Sequence, residues 1–421
     1  MNETKPLQIN PFKLSQPMGA LLCFLGIKNT MPLMHGAIGC ASFSKVFFTR
    51  HFNDPIAIQT TAVNDITAVI DGGDYSISEA IKNITAKVKP DLVGLFTTGL
   101  TETKGDDIKG ATFLLKDVQK MVYVHTPDFE GGLESGWARS IEAIIEQLVE
   151  KKSQINPTKA LLIPNVNFTP LETEKLKEQI ALFGFDEVLA LPDLSESLDG
   201  HLGVKQGALS SGGISIEEIK DLADCQVVIT IGGSVKKAGE KLLEKNEFMK
   251  HLHFDSVGGL LQSDQFYKAL LELQSLKAPH PQVQRWRKRL QDALLDTHFL
   301  LGGKKIVIAL EYDQALSIGN ILNEVGANIV AVVIPNKIVT MEDAFFKNVI
   351  IGDMSDVEKE MEDADILISN FHGERITHKL HKILIPRGFP NYETVGNQLK
   401  YDLLYEGSAQ FLFEVANKIH H

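Results

Sequence analysis

Cysteine is scarce in this chain. Only Cys23, Cys40 and Cys225 occur among 421 residues. An odd number of widely spaced cysteines makes no disulfide framework, and a reducing cytoplasm is the expected compartment. Long apolar runs are missing, so no segment is expected to cross a membrane. The first residues, MNETKPLQINPFKLSQPMG, lack the basic start and apolar stretch of a signal peptide. Positive charge is in deficit. A net charge of -12 argues against a protein that binds nucleic acid by neutralising phosphates. The common catalytic signatures are missing as well. Gly303–Lys304 lacks the upstream glycine of a phosphate-cradling loop, and no GxGxxG follows an expected strand. HExxH, CxxC and GxSxG do not occur, which leaves zinc hydrolases, dithiol redox proteins and serine hydrolases unsupported.

What remains is an ordinary globular composition, 44% apolar and 23% charged, long enough for two to four domains. Strand-like and helix-like segments alternate throughout. PIAIQTTAV, DLVGLFTT and MVYVHTP read as strands of a first unit, with SISEAIKNITAKV as a helix capped by its serine. The polar stretch KKSQINPTK (151–159) marks its end. A second unit runs KALLIPN, TPLETEKLKEQIALFG, DEVLALPD, CQVVITIGG. The helix PQVQRWRKRLQDALLDTHFLL (281–301) bridges to a third. There KKIVIALE, ANIVAVVIP, NVIIGD, DILISN and KILIP alternate with helices, with Gly326 as a helix stop. This spacing predicts an α/β fold of three Rossmann-like domains with mainly parallel sheets. The expected domains are 1–155, 156–295 and 296–421, the last with a C-terminal helix packing back on the first.

Five histidine or glycine features outside the N-terminal region are read as structural. His251 and His253 alternate on one face of HLHFD but have no third ligand nearby. His372 follows a strand, where α/β folds place ligands, yet an exposed loop histidine is the simpler reading. Gly232 and Gly233 read as a plain turn at a strand end. Cys23 and Cys225 sit in apolar surroundings and read as core thiols.

The stretch PLMHGAIGCASFSKVFFTRHF (32–52) is the most informative. Gly36 and Gly39 precede Cys40 and let the backbone approach a bulky group. Phe43, Val46 and Phe47 recur at helical spacing, predicting a helix over 41–52 with these residues on its buried face. Cys40 would then stand at a helix N-terminus, where the positive end of the dipole favours a metal-binding thiolate. A buried, inert cysteine in a tight turn is the other reading, and residue chemistry alone does not choose.

SQPMGA, MPLMHGAIGC, TRHF, FTTGLTETKGDDI, RWRKRLQDALLDTHFLLGGKKIVIALE and IPRGFPNYETVG, taken in order, resemble the nitrogenase component 1 β-subunit superfamily. Within it the resemblance is to the scaffold branch, on which the iron-molybdenum cofactor matures, rather than to the catalytic branch. Catalytic β-subunits of this kind hold an electron-relay P-cluster with three cysteines. The matching positions here are Ser15, Cys40 and Gly99, so two of the three ligands are lost. The resemblance therefore implies no P-cluster. It implies instead a [4Fe–4S] cluster shared across a subunit interface, with Cys40 as one ligand and three cysteines from a NifE-like partner. His35, Gly36 and Gly39 would shape the cluster pocket. It further implies an α2β2 heterotetramer, a cofactor precursor held mainly by the partner, and transient docking of the nitrogenase iron protein. A catalytic residue is not implied. The alternative is an oxidoreductase β-type subunit of a nitrogenase-like or protochlorophyllide-reductase-like complex.

Overall fold

The computed structural model describes residues 12–48, 50–52, 56–63, 73–196, 208–210, 212–337 and 345–420. Thirteen strands among them form three separate sheets, and every pairing is parallel. The first contains β1 (Thr30–His35), β2 (Gln59–Thr60), β3 (Leu92–Thr97) and β4 (Met121–Val124), ordered β2-β1-β3-β4. The second contains β5 (Asn156–Pro164), β6 (Glu187–Ala190), β7 (Cys225–Ile231) and β8 (Lys250–Phe254), ordered β6-β5-β7-β8. The third contains β9 (Lys305–Ala309), β10 (Asn328–Ile334), β11 (Val349–Ile351), β12 (Ile366–Ser369) and β13 (Ile383–Pro386), ordered β11-β10-β9-β12-β13. Three open parallel sheets wound by helices match the expected fold class. In each, central strands flanked on both sides put chain crossings at the carboxyl edge, where such folds bind ligands.

The strands are short runs of β-branched residues because both faces of each sheet are covered. The middle sheet shows what this does. Leu161, Ile163 and Val228 join a core with Leu21 and Trp137 of the first domain. Their alternating neighbours Leu162, Val227 and Ile229 join a core with Leu290, Ile308 and Phe411. The period-two alternation of β-strands thus lets one sheet serve both neighbours. Polar contacts tie the same junction. The buried Asp313 carboxylate accepts from the backbone N–H of Gly233 (2.9 Å) and Ser234 (3.2 Å), so the Gly232–Gly233 turn is an interdomain latch. Gly232 has φ 113°, a conformation open to glycine.

The local readings hold with adjustments. Gly326 at φ 82° follows the helix Tyr312–Glu324, as a stop should. PIAIQTTAV contributes only two paired residues, Gln59 and Thr60, and its Pro55 lies outside the described residues. Ser76 is not a cap, because the helix Asp74–Lys87 begins two residues earlier with Gly73 at its N-cap. The chain passes from the second sheet to the third through the unbroken helix Pro281–Leu301. The C-terminal helix Leu404–His420 differs from expectation. It packs along Pro281–Leu301, with Phe411, Leu412 and Val415 in the core of the second and third domains. The return to the first domain is made by the loop before it. Asn391 N–H donates to His51 Nε2 (2.8 Å), Asn397 Nδ2 donates to the Arg50 carbonyl (3.0 Å), and Phe389 packs edge-on against Phe48. The physical reason is that the apolar face of the last helix matches a helix already spanning two domains.

Candidate cluster-binding site at the carboxyl edge of the first sheet

β1 and β3 are adjacent and parallel, with His35 opposite Thr97 at their carboxyl ends. The chain leaves β1 through Gly36 and Ala37 into the helix Ile38–Phe47. It leaves β3 through Thr98 into the helix Gly99–Lys104. Cys40 and Gly99 therefore lie in the first turns of neighbouring helices at one sheet edge. Ser15 is the N-cap of the helix Gln16–Leu25. Gln16 beside it donates to Ser135 Oγ (3.0 Å), in the segment that follows β4. Gly99 N–H donates to Asp128 (2.8 Å) in that segment too. All three positions of the family's cysteine set thus stand at helix N-termini above the first sheet, and one of them carries sulfur.

Cys40 is exposed, while Cys23 and Cys225 are buried. Burial pushes the Cys23 thiol well above its ordinary value and the Cys225 thiol up to about 12, so both behave as core residues, as expected. The helix starts at Ile38, earlier than the sequence suggests, which places Cys40 inside its first turn. Its faces are also inverted relative to the periodicity reading. Ala41 and Ser44 are buried, whereas Ile38, Phe43 and Val46 are 53%, 67% and 53% exposed. Phe43 and Val46 of the apolar stripe face away from this chain's own core, whereas Phe47 is half-buried and packs against it. Large apolar side chains thus stand exposed on either side of the exposed Cys40.

The two glycines differ. A Cβ on Gly39 would meet nothing within 4 Å, so Gly39 leaves open space beside Cys40. A Cβ on Gly36 would stand 2.8 Å from both Thr98 Cγ2 and Thr98 Oγ1. The room at Gly36 is therefore filled by this chain, not left for a ligand. His35 is fully buried. Its Nδ1 meets Thr61 Oγ1 at 2.8 Å and its Nε2 meets Asp106 Oδ2 at 2.9 Å. With both ring nitrogens engaged inside the protein, His35 shapes the loop from beneath and does not present a ligand atom. Sequence reasoning missed Thr61, Thr98, Thr101 and Asp106, which carry most of this geometry. TTGLTETKGDD shows Thr98, Thr101 and Asp106 as a polar run but not what they hold, and Thr61 lies apart from it in PIAIQTTAV.

The remaining candidates are structural. His251 Nε2 and His253 Nδ1 share the Thr230 hydroxyl at 2.8 and 2.9 Å, and His253 pairs with Asp255. Burial and the neighbouring His253 lower the His251 pKa, consistent with packing. His372 is half-buried at the start of the helix Gly373–Leu380, and burial lowers its pKa as well. Among the described residues no three His, Cys, Asp or Glu side chains group as a metal site. A cubane cluster takes about four thiolates. Cys40 with its open approach fits as one ligand of such a group, and the described residues supply no others.

The fold and the sequence find close parallels. The profile of the nitrogenase component 1 type oxidoreductases matches residues 15–420. The chain is 37% identical to the nitrogenase iron-molybdenum cofactor biosynthesis protein NifN of Rippkaea orientalis, covering 99% of this chain and 95% of that one. The chain belongs to the NifN branch of the nitrogenase component 1 family. NifN of Mesorhizobium japonicum is likewise 37% identical (99% and 92% covered), and NifN of Klebsiella pneumoniae 32% (99% and 92%). Among solved structures, a chain of nitrogenase Cp1 at pH 6.5 superposes with a TM-score of 0.92 at 27% identity, covering 100% of this chain and 95% of that one. No helix of the described residues is long and apolar enough to cross a membrane.

Proposed function

We propose that this chain is one subunit of a scaffold on which the iron-molybdenum cofactor precursor is matured before its transfer to nitrogenase. The NifN relatives carry cofactor biosynthesis in their name, and they match the chain almost end to end. The observation that carries the reading is the ligand set. Ser15 and Gly99 occupy two of the positions where a catalytic β-subunit has cysteines, and Cys40 alone is an exposed thiol. Such a chain holds no P-cluster by itself. Cys40 instead supplies one thiolate to a [4Fe–4S] cluster, and a NifE-like partner supplies three, in an α2β2 assembly. The exposed Ile38, Phe43 and Val46 give the partner an apolar surface around that sulfur. The bound cluster would supply electron transfer or interface stability. Molybdenum and homocitrate arrive with transient docking of the nitrogenase iron protein, while the precursor is held mainly by the partner. Cytoplasmic placement follows from oxygen-sensitive cluster chemistry in a reducing compartment.

An oxidoreductase β-type subunit is the second reading, favoured only by the family's catalytic members. One experiment separates the two. The complex of this chain with its partner is purified without oxygen, then incubated with molybdate, homocitrate, iron protein and ATP. It is assayed both for reduction of dinitrogen and for its ability to activate a cofactor-free nitrogenase. Activation without intrinsic reduction is expected. Reduction of dinitrogen by the complex itself would overturn the proposal.

A further inference from the structure

The loop that presents Cys40 is held from beneath by a chain of buried groups that the cluster reading does not use. Asp106 is at one end. Its Oδ1 accepts the Gly73 N–H (3.0 Å), its Oδ2 faces His35 Nε2 (2.9 Å), and Lys104 Nζ lies 3.4 Å away. A carboxylate only accepts, which assigns the ring proton to Nε2. His35 Nδ1 is completed by Thr61 Oγ1 at 2.8 Å. The same Thr61 oxygen accepts the Gly36 N–H (3.2 Å), and the Gly36 carbonyl accepts from Val63 N–H (3.1 Å). The His35 carbonyl accepts twice, from the hydroxyls of Thr98 and Thr101, both at 3.0 Å. These threonines open the Gly99–Lys104 helix, where the family's third cysteine is replaced.

We infer that Asp106, His35 and Thr61 form a positioning brace that fixes the Gly36–Ala37 hinge and thereby the approach of Cys40 to the shared cluster. This rests on the reading of Cys40 as a cluster ligand. Three features support it. Both ring nitrogens, the carbonyl of His35 and the N–H of Gly36 are all satisfied within about two residues of chain, so the hinge has no soft hydrogen bond. Every member except Lys104 is buried, where a broken bond leaves an unpaired group. Beyond the hinge the helix carries Cys40 into open space, because a Cβ on Gly39 would meet nothing and Cys40 is exposed. A ligand supplied singly across an interface gains most from such pre-organisation, since no second thiolate of its own chain holds it in register.

The test uses the assembled, cluster-loaded complex. Thr61→Val keeps the shape and removes the hydroxyl shared by His35 and Gly36; Thr61→Ser restores it. Asp106→Leu removes the other end. Iron release to a ferrous chelator is followed in the absence of oxygen, alongside thermal unfolding. Thr61→Val and Asp106→Leu are expected to release iron about tenfold faster than the unaltered complex, and Thr61→Ser within about twofold of it. Asn246→Ala, far from the hinge, removes the bonds that Nδ2 donates to the carbonyls of Gln154 and Ala223 and the one that Oδ1 accepts from the Phe248 N–H, and controls for general destabilisation. It is expected to lower the melting temperature without speeding release. Release rates for folded Thr61→Val and Asp106→Leu complexes equal to the unaltered rate would overturn the brace, as would equal acceleration by Asn246→Ala. Cys40→Ala in the same assay separates the two claims. If it changes release while the brace variants do not, only the brace is wrong. If it leaves release unchanged, Cys40 is not a ligand.

Discussion

Gly36 and Gly39, three residues apart, should respond in opposite ways to the same methyl group. At Gly36 an added Cβ lies 2.8 Å from two atoms of the buried Thr98 side chain, closer than a carbon contact allows. Thr98 cannot rotate freely away, because its hydroxyl donates to the His35 carbonyl at 3.0 Å. Gly36→Ala therefore costs about 1–3 kcal/mol, the usual range for overpacking. At about 2.1 cal/mol/K per residue, unfolding 421 residues changes entropy by about 0.9 kcal/mol/K, so the melting temperature falls by about 1–3 °C. At Gly39 nothing lies within 4 Å, and the residue is in a helix. Gly39→Ala gains helix propensity, up to about 1 kcal/mol, in the chain by itself. In the assembled complex the proposal predicts that the sign reverses, because the new methyl would enter the space it assigns to the cluster and partner; affinity for the partner would fall by about tenfold or more. Differential scanning calorimetry of the chain and titration with its partner give both numbers. Equal melting temperatures for the two variants in the chain alone would refute the geometry. Unchanged partner affinity for Gly39→Ala would refute the placement of the interface.

Arg387 is 3% exposed and forks onto Asp402 (2.5 and 3.0 Å) and Glu414 (3.2 and 2.6 Å), so Arg387→Leu strands one buried carboxylate. A loss of about 3–5 kcal/mol is expected. This is a fall of about 3–6 °C in melting temperature for 421 residues, against less than about 1 kcal/mol for the exposed Lys268–Glu272 pair. His51 accepts the Asn391 N–H through Nε2, and burial, aided by Lys400, holds its pKa near about 3. The unfolded chain binds the proton first, so His51 contributes stability above about pH 6.5 that is lost as pH falls towards 3, by up to about 1.4 kcal/mol per unit. Urea midpoints at pH 7 and pH 5 should differ less in His51→Gln than in the parent chain. Thiol labelling of the native chain should modify Cys40 alone, and denaturant should expose Cys23 and Cys225; a second fast thiol would contradict the burial described.

Element type and the parallel class of the sheets were largely legible because both faces of each sheet are covered, whereas strand order was not read from the sequence. KKIVIALE, ANIVAVVIP and DILISN are near-continuous β-branched runs, and that composition reports burial directly. Periodicity on the Cys40 helix was legible, but its meaning was not. Phe43, Val46 and Phe47 show that one face is apolar, and the sequence has no way to say whether this chain or another covers it. The brace was hidden for a different reason. Thr61, Asp106 and His35 lie far apart in the chain and meet only because β1, β3 and their loops share one sheet edge. The same limit applies to the last helix. Its amphipathic pattern is plain, yet its partner is the buried stripe of Val283, Leu290, Ala293 and Leu301 on Pro281–Leu301, a tertiary match that no local signal encodes.

The account stands or falls on Cys40 as the one thiolate this chain gives to a shared cluster. The Cys40→Ala chain is co-expressed with the proposed NifE-like partner and purified without oxygen. Iron and sulfide are counted, and the paramagnetic signal of the reduced interfacial cluster is recorded. Loss of that cluster, or a signal altered by a changed fourth ligand, is the predicted result. A complex with full iron, full sulfide and an unaltered signal would contradict it.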